Sequence, residues 1–382
     1  MHLRFERRML PNVPWGVVAS ALVIALLGIW NLTSAARPPQ SPVWKSQAIY
    51  LALGVAVMAV VGVMDYRFIQ RMAVPLYAVN LFLLVALRFV GHRAKGAESW
   101  LVLGPLRIQP AEFVKLGIIL MLAKFFHEHP KRDHESYGVS DYWQPLLIIF
   151  VPLVLVLVQP DLGTALMIFF TGLTVLLFSR PRRWIWVSMA VGAVAVSGVL
   201  WNDYVRDTPG HATVIRHHLK RHQDRRISGW LDPESDTRGS NYHAAQSRIA
   251  VGSGGISGKG WKRGTQAYLR FLPEQHTDFV FSVWAEEHGF ILCLALILLY
   301  GAVILGSLGV AFHSRDRFGA FVSVGVGAML FWQVFENIGM VTGLLPVTGI
   351  TLPLMSYGGS SLISVMIALG LLVNVGLRRH IF

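Results

Sequence analysis

The chain has 382 residues, of which 54% are hydrophobic and only 14% are charged, and its mean hydropathy is +0.51. This composition excludes an ordinary soluble domain and predicts a protein that lies mostly in a lipid bilayer. The formal net charge of +13 does not indicate nucleic-acid binding, because much of it comes from Lys and Arg in short segments between apolar stretches, where such residues orient a membrane protein.

Apolar segments recur along the chain, and about ten of them approach the roughly 20 residues that a helix needs to cross a bilayer. The first follows the basic stretch MHLRFERRM and is too long for a typical secretory signal, so we expect an uncleaved helix. In chain order the segments are Val13–Ser34, Trp44–Val63, Ala73–Phe89, Glu112–Phe126, Gln144–Val158, Leu162–Phe178, Trp184–Trp201, Phe279–Gly306, Phe318–Val341 and Ser360–Leu377. The sequence therefore predicts an all-α polytopic membrane protein of about ten transmembrane helices, with residues 1–382 in one domain.

The distribution of basic residues predicts how these helices are oriented. With the N-terminus in the cytoplasm, the cytoplasmic segments hold Arg4, Arg7, Arg8, Arg67, Arg71, Lys124, Lys131, Arg132, Arg180, Arg182, Arg183, Arg315, Arg317, Arg378 and Arg379. This pattern satisfies the positive-inside rule and predicts that both termini are cytoplasmic. The same topology makes the polar residues 202–278 a large extracytoplasmic loop between the seventh and eighth helices.

The long loop has two parts with different predicted roles. In VIRHHLKRHQDRRISGW, residues 214–230, apolar and basic residues are interleaved. This pattern predicts a basic amphipathic helix on lipid headgroups, and a solvated basic loop is the alternative. The second part, IAVGSGGISGKGW at 249–261, is rich in glycine and contains Lys259. Such a loop can wrap a phosphate with its backbone amides, although many flexible loops have the same composition.

Polar residues lie beside apolar segments on the predicted outer side. In RIQPAEFVKLG, residues 107–117, Glu112 and Lys115 fall on one face of a helix. Charges inside a membrane are costly, so this pair predicts a functional site, and a structural ion pair is the alternative. In QPDLGT, residues 159–164, Asp161 would either cap the next helix or contact a substrate.

Polar groups also occur near the last apolar segments. The stretch TGLLPVTGITLPLMSYGGSSL, residues 342–362, contains prolines and glycines that break helices at membrane depth. Such backbone must be buried in protein or line a cavity. Upstream, Gln333, Glu336 and Asn337 share one helix face, where interhelical hydrogen bonds are the expected role. Asp278 immediately precedes the eighth segment, where a helix is expected to begin, and it is either a helix cap or a catalytic group.

Long ordered motifs give the chain a resemblance to a known family. They are KGAESWLVLG (95–104), IQPAEFVKL (108–116), QPDLGTAL (159–166), LDPESD (231–236), YHAAQSRIAVGSGGISGKGW (242–261), GTQAYLRFLPEQHTDFVFSVWAEEHG (264–289) and NIGMVTGLLPVTGITLPLMSYGGSSL (337–362). With these motifs over nearly its whole length, the chain resembles the SEDS family of shape, elongation, division and sporulation proteins. NIGMVTG, together with GTQ before FLPE, favours the RodA branch over the FtsW branch.

The resemblance implies a peptidoglycan glycosyltransferase that polymerises lipid II at the outer face of the cytoplasmic membrane during cell elongation. It also implies that Asp278 matches an aspartate required for activity, and that Glu112 and Lys115 line the same central cavity. Two positions depart from the family pattern, because Ser99 stands where arginine is usual and Ala111 where serine is usual. If that arginine holds a diphosphate, a neighbouring cation at position 93 or 95 must substitute for it.

The implied reaction assigns a role to each predicted site residue. Formation of a β-1,4 bond from an α-linked diphosphate inverts the anomeric carbon, so it needs a general base and stabilisation of the departing diphosphate. We assign the base to Asp278, with His276 as a second candidate, and we expect Glu112 to orient Lys115 toward the diphosphate. The predicted substrate-binding residues, of which Arg248 and Lys259 would also meet the diphosphate, are Arg248, Lys259, Gln246, Asp161, His276, Thr277, Ser356 and Ser360.

Partners and cofactors are implied by the same resemblance. A divalent cation, Mg²⁺ or Mn²⁺, would suit the diphosphate, but the sequence contains no ligand cluster of diagnostic spacing, and no organic cofactor is expected. We expect lipid II as substrate, a class B penicillin-binding protein as crosslinking partner, contacts with the elongation machinery and membrane lipids, and no nucleic acid. A transporter that flips a lipid-linked precursor is the alternative function, because intramembrane charges and broken helices would serve it equally well. A scaffold for other wall-building proteins would leave these polar residues without a role.

Overall fold

The protein is a bundle of apolar helices, which confirms the predicted all-α membrane fold. The computed structural model describes residues 7–36, 43–90, 92–94, 97–103, 106–132, 135–204, 227–231, 242–269, 271–272 and 274–379. Most of the basic helix predicted at 214–230 therefore lies outside the described residues, and so does Lys95.

Each predicted apolar segment coincides with one helix. In chain order the α-helices are α1 (Trp15–Ala35), α2 (Val43–Val63), α3 (Tyr66–Val90), α4 (Pro110–Glu128), α5 (Trp143–Val158), α6 (Leu162–Phe178), α7 (Arg183–Tyr204), α8 (Tyr242–Ser253), α9 (Thr265–Tyr268), α10 (Val280–Phe312), α11 (Arg317–Thr342) and α12 (Gly359–Leu377). Short 3-10 helices occur at Arg7–Asn12 and Val139–Asp141.

Among the described helices, seven are long and apolar enough to cross a membrane, namely α1, α2, α3, α7, α10, α11 and α12. The helices α5 and α6 are apolar but shorter, and α4 contains the charged residues Glu112, Lys115 and Lys124. That all of these helices cross the bilayer stays a prediction.

A small antiparallel sheet connects α3 to α4, and the sequence analysis did not anticipate it. Its strands are β1 (His92–Ala94), β2 (Ala97–Leu103) and β3 (Leu106–Ile108), in the spatial order β1-β2-β3. In the second pair Leu101 lies opposite Ile108 and Leu103 opposite Leu106. The last strand ends at Ile108, and α4, the helix with the predicted charged pair, begins at Pro110.

The core of the bundle is built around α11 and α12, in each of which 78% of the most apolar stretch is buried. Helix α11 packs against α4, α6 and α10, and α12 packs mainly against α2. Small residues such as Gly325 and Gly327 let neighbouring helices approach α11 closely, which is the usual basis of helix packing in a bilayer. By contrast, the apolar stretch of α7 has no buried residue, so this helix lies outside the core.

Helix α10 is two helices joined at a break. Its 33 residues would extend about 50 Å, which exceeds a hydrocarbon core of about 30 Å. The break is at Gly289, whose φ of 73° and ψ of −175° are not helical. The part after the break, about 34 Å long, is sufficient to span the bilayer. The residues before it form a separate short helix that leads back to Asp278.

The glycine-rich loop after α8 pairs with the backbone at this break. The amide of Lys259 donates to the Glu286 carbonyl at 3.0 Å, and the amide of Gly260 donates to the Glu287 carbonyl at 2.9 Å. A Cβ on Gly258, where φ is +80°, would lie 2.3 Å from the Glu287 carbonyl oxygen. These glycines therefore allow close approach to α10. Because the amides of Lys259 and Gly260 are already bonded, the structure does not support their use in wrapping a phosphate.

The segment between α11 and α12, residues 343–358, enters the bundle, and we call it the re-entrant loop. The Tyr300 hydroxyl donates to the Pro353 carbonyl at 2.6 Å, and Tyr300 lies about 16 Å along α10 from Gly289. On another side, a Cβ on Gly28 of α1 would lie 2.7 Å from the Cα of Met355. Residues 352–356 of this loop are buried in protein, which is one of the two settings predicted for this irregular backbone.

Candidate active site

Asp278 lies in the turn before α10, against the re-entrant loop. Its backbone carbonyl accepts a hydrogen bond of 2.9 Å from Asn337 Nδ2, and the same nitrogen donates to the Ile350 carbonyl at 2.6 Å. Asp278 is half-buried, and its carboxylate oxygen Oδ2 lies 3.5 Å from the position that a Cβ would take on Gly349. The N-cap of α10 is Phe279, so the alternative that Asp278 is merely the helix cap is wrong.

The residues on either side of this turn hold it to the re-entrant loop. Ser356 Oγ donates to the Thr277 carbonyl at 2.6 Å and accepts from the Leu352 amide at 2.8 Å. The Tyr357 amide donates to the His276 carbonyl at 2.9 Å. The structure therefore brings together Asp278 and three predicted substrate-binding residues. The Ser356 hydroxyl is used within this clamp, which indicates a positioning role for Ser356.

The predicted pair on α4 is a buried ion pair. Lys115 Nζ lies 2.9 Å from Glu112 Oε2, and the two residues are 1% and 5% exposed. Ser364 of α12 also donates to Glu112 Oε2, at 3.3 Å. At the start of α4, the Gln109 amide donates to Ser360 Oγ at 3.1 Å. Ser360, one of the predicted substrate-binding residues, therefore links the start of α12, just after the re-entrant loop, to the start of α4.

Asp161 caps α6, which is one of the two roles predicted for it. As the N-cap of α6, its carboxylate accepts bonds of 3.1 Å from the Thr164 amide and 2.9 Å from the Thr164 hydroxyl. The same carboxylate also lies within electrostatic range of Glu112 and Lys115. Capping is therefore confirmed, and contact with a substrate stays a prediction.

Glu336 is a site residue that the sequence analysis assigned only to interhelical hydrogen bonding. It is 5% exposed, it is hydrogen-bonded to Thr348, and it lies within electrostatic range of Lys115 and Asp161. Its neighbour Asn337 holds Asp278, so consecutive residues of α11 connect the two halves of the site. The available signal was an ionisable residue inside an apolar segment, which is rare without a function.

Helix α8 adds a cation at the edge of the site. Ser247 anchors this helix through bonds of 2.8 Å to the Val341 carbonyl and 2.9 Å to Ser282 Oγ. The adjacent Arg248 is exposed, and its Cδ would lie 2.8 Å from a Cβ on Gly343, where the re-entrant loop begins. Gln246, on the same helix, is half-buried. Arg248 can therefore still meet an anionic group.

Lys259 is engaged elsewhere. Its Nζ lies 2.6 Å from Glu286 Oε1 and donates to the Thr265 hydroxyl at 2.9 Å. The fully buried Glu286 also accepts the amides of Thr265 and Gln266. The structure thus gives Lys259 a role in tying the glycine-rich loop to α10, which the sequence analysis missed. A direct role in binding diphosphate stays a prediction.

Two further features are the potential metal ligands and the surroundings of Ala111 and Ser99, the two residues that depart from the family pattern. Within the described ranges, no group of three or more His, Cys, Asp and Glu side chains is arranged to hold a metal ion. Ala111 is buried beside the charged pair, at 1% exposure. Ser99 lies in β2 and Arg93 in β1.

Known proteins resemble the chain over almost its entire length. The model of the cell cycle protein family of FtsW, RodA and SpoVE matches residues 12–380. The peptidoglycan glycosyltransferase MrdB of Escherichia coli K12 is 38% identical over 95% of this chain and 92% of its own length. RodA of Treponema pallidum, also named a peptidoglycan glycosyltransferase, is 33% identical over 87% of this chain and 89% of its own length.

Solved structures agree with these relatives. One comes from a study of the structural coordination of polymerization and crosslinking by a peptidoglycan synthase complex. It is 35% identical, has a TM-score of 0.78, and is matched over 96% of this chain and 98% of its own. The crystal structure of the rod shape determining protein RodA of Thermus thermophilus is 32% identical with a TM-score of 0.68, over 96% and 97% of the two chains. The chain therefore belongs to the cell cycle protein family of FtsW, RodA and SpoVE.

Proposed function

We propose that this chain polymerises lipid II into β-1,4-linked glycan strands during cell elongation, with Asp278 as the general base. The chain is a peptidoglycan glycosyltransferase, in agreement with relatives of that name that match it over most of both lengths. The following steps assign roles to its own residues.

The proposed reaction is a single displacement with inversion. The 4-hydroxyl of one saccharide attacks the anomeric carbon of another, a new C–O bond forms, and the bond to undecaprenyl diphosphate breaks. The hydroxyl proton passes to the Asp278 carboxylate, and the bonding electrons leave with the diphosphate. This course needs no covalent enzyme intermediate, because the base activates the attacking oxygen directly.

One observation carries the assignment of the base. The backbone of residues 276–278 is clamped to the re-entrant loop by Asn337, Ser356 and the Tyr357 amide. A general base must be held within hydrogen-bond reach of the proton it removes, and this clamp supplies that rigidity. Asp278 is half-buried, and we propose that its carboxylate meets the saccharide of a substrate whose lipid tail lies in the bilayer.

The second requirement of the reaction is stabilisation of the negative charge on the departing diphosphate. Lys115, oriented by Glu112 at 2.9 Å, supplies a fixed positive charge in the bundle, and Arg248 supplies an accessible one at the edge. A preorganised cation in a desolvated site stabilises developing negative charge more strongly than one in water. Lys259 contributes indirectly, because its ion pair with Glu286 fixes the loop beside α10.

A divalent cation, Mg²⁺ or Mn²⁺, belongs to the same proposal. Mg²⁺ usually binds to one or two carboxylates together with substrate phosphates, so the lack of a larger ligand cluster among the described residues is compatible with it. Such an ion would supply charge neutralisation at the diphosphate. We propose Asp161 and Asp278 as the carboxylates that would hold this ion.

The proposed orientation has both termini in the cytoplasm and the active site on the periplasmic face of the inner membrane. Helix α11 begins at Arg317 and ends at Thr342, and Asn337, which holds Asp278, is near its end. Arg378 and Arg379 follow the end of α12, at the opposite side of the bundle from Asp278. Concentration of Arg at one side supports a cytoplasmic position for that side.

A crosslinking partner completes the proposal. Glycan strands become a wall only when their peptides are crosslinked, so we propose a class B penicillin-binding protein as partner within the elongation machinery. A solved relative of 35% identity that belongs to a peptidoglycan synthase complex supports this partnership.

A flippase for the same lipid is the second candidate. The buried pair of Glu112 and Lys115 and the re-entrant loop favour it, because transporters also use buried charges and broken helices. The two functions differ in what they need from Asp278, since translocation forms no glycosidic bond and needs no base.

The test measures polymerisation and translocation with the same protein. The purified full-length protein is given lipid II and Mg²⁺ or Mn²⁺, glycan polymer is separated by gel electrophoresis, and lipid movement is followed in vesicles. We expect polymer from the wild type and from the surface variant Glu128→Gln, and none from Asp278→Asn. Polymer from folded Asp278→Asn would exclude Asp278 as the base. Translocation without polymer in the wild type would support the flippase.

A further inference from the structure

A cavity of about 360 Å³ opens at the basic end of the bundle, far from Asp278. It lies where the start of α1 meets the ends of α10 and α12. Helix α10 begins beside Asp278 and α12 begins at the end of the re-entrant loop, so their other ends mark the opposite side of the molecule. The volume is within the range of known ligand sites, about 300–1,000 Å³. The proposed reaction gives this cavity no task.

Apart from Ser20 of α1, the polar residues that line the cavity lie near helix ends, and the rest of the lining is apolar. At the rim are Asn12, His313 and Arg379, and further along α10 lies Ala302. Ala302 is about 15 Å from the end of α10 at Phe312. A ligand that fills the cavity would therefore place a polar group at headgroup depth and an apolar group among the acyl chains.

The rim carries positive charge. Arg379 is half-buried, and its Nε donates to Asn12 Oδ1 at 3.3 Å. An Arg guanidinium has further N–H donors in a planar fork that matches a phosphate. None of the described residues that line the cavity is Asp or Glu. The carbonyl oxygens of Gly309 and Gly376 at the helix ends already accept backbone amides. The rim is therefore complementary to an anion.

The apolar part is open because glycines line it. A Cβ built on Gly16 of α1 or on Gly309 of α10 would meet no atom within 4 Å. Two helices thus leave a groove beside bare backbone, into which a flexible hydrocarbon chain fits.

We infer that this cavity binds an anionic phospholipid, with the phosphate at Arg379 and part of an acyl chain in the groove beside Gly16 and Gly309. The amphipathic shape selects a lipid rather than a free anion, and the basic rim selects an anionic headgroup over a zwitterionic one.

The test uses the full-length protein in detergent and native mass spectrometry. The probes are phosphatidylglycerol, phosphatidylcholine with the same acyl chains, and glycerol phosphate as the headgroup alone. We expect the wild type to retain phosphatidylglycerol in preference to the other two. Arg379→Gln should weaken that binding by about tenfold, since it removes a charge-assisted contact. Gly309→Leu should weaken the binding of both lipids by filling the groove.

Two matched variants serve as controls. Gly301→Leu places the same side chain on α10 in open space, and Arg71→Gln removes an exposed arginine from α3. Both should bind phosphatidylglycerol as the wild type does, and thermal unfolding checks that every variant is folded. Unchanged phosphatidylglycerol binding in folded Arg379→Gln or Gly309→Leu would overturn the inference. Equal retention of phosphatidylcholine, or equal binding of glycerol phosphate, would overturn it as well.

Discussion

The buried ion pair on α4 allows a sharp prediction, because its two members are not equivalent. Lys115 is within electrostatic range of Asp161 and Glu336 as well as bonded to Glu112. Lys115→Met would leave three carboxylates in the bundle without their shared cation. Glu112→Gln would leave Lys115 with two carboxylates still nearby.

The expected free-energy changes follow from this asymmetry. Removing one member of a buried pair typically costs about 3–5 kcal/mol, and we expect Lys115→Met to reach that range. Glu112→Gln should cost less, about 1–3 kcal/mol, because an amide can still accept the Lys115 hydrogen bond. The double variant should be more stable than the sum predicts, by about 1–3 kcal/mol, since the groups are in contact.

The assay is the free energy of unfolding in mixed micelles, measured by titration with a denaturing detergent. Lys124→Met is the matched control on the same helix, because Lys124 pairs with Glu128 at 3.7 Å and their side chains are 20% and 50% exposed. A partly exposed pair with this long separation should contribute much less than a buried one, about 0–1 kcal/mol. A loss for Lys115→Met no greater than that for Lys124→Met would refute the reasoning, and so would strict additivity in the double variant.

Three further predictions concern other parts of the molecule. Asn337→Ala frees the carbonyl of Asp278 and should slow polymerisation by up to about 100-fold. Asn374→Ala is the control, because it also frees backbone carbonyls but at the basic end of the bundle. It should lower thermal stability without slowing polymerisation as much. Equal losses of polymerisation rate in the two variants would contradict a positioning role for Asn337. Gly258→Ala should lower the free energy of unfolding by about 1–3 kcal/mol in the same titration. The reason is that φ is +80° at this position and the Glu287 carbonyl oxygen would lie 2.3 Å from the new Cβ. Unchanged stability would show that the loop moves away to make room for the methyl group. The pKa of Asp141 is lowered by the hydrogen bond from the Gly138 amide and by Lys131, so its contribution is present near neutral pH and lost as the pH falls below about 4. Melting temperatures of wild type and Asp141→Asn should accordingly differ at pH 7 and converge in acid, and a constant difference would count against this.

The sequence was sufficient for the helices and for the family. Hydropathy and the spacing of Lys and Arg are properties of continuous segments, so each apolar segment could be assigned without knowing its neighbours. The ends of the helices moved by several residues at most, with α3 beginning at Tyr66 instead of Ala73. Glu112 and Lys115 were paired correctly because residues three apart on a helix are neighbours.

Several features depended on contacts between distant residues, and no local pattern contained them. The sequence could not decide whether Asp278 caps α10. In the structure the N-cap is Phe279, and Asn337 holds the preceding turn through the Asp278 carbonyl. The loop around Lys259 had the composition of a phosphate-binding loop, but its charge is paired with Glu286, 27 residues away.

The sequence by itself determined that this is a multi-helix membrane protein of a wall-building family, because hydrophobicity and long motifs are local information. Only the tertiary structure decided which charges meet. Glu336 joined Lys115 and Asp161 because α4, α6 and α11 pack together in the core. In a medium of low dielectric constant, the role of a charged group is set by the partners that the fold brings to it.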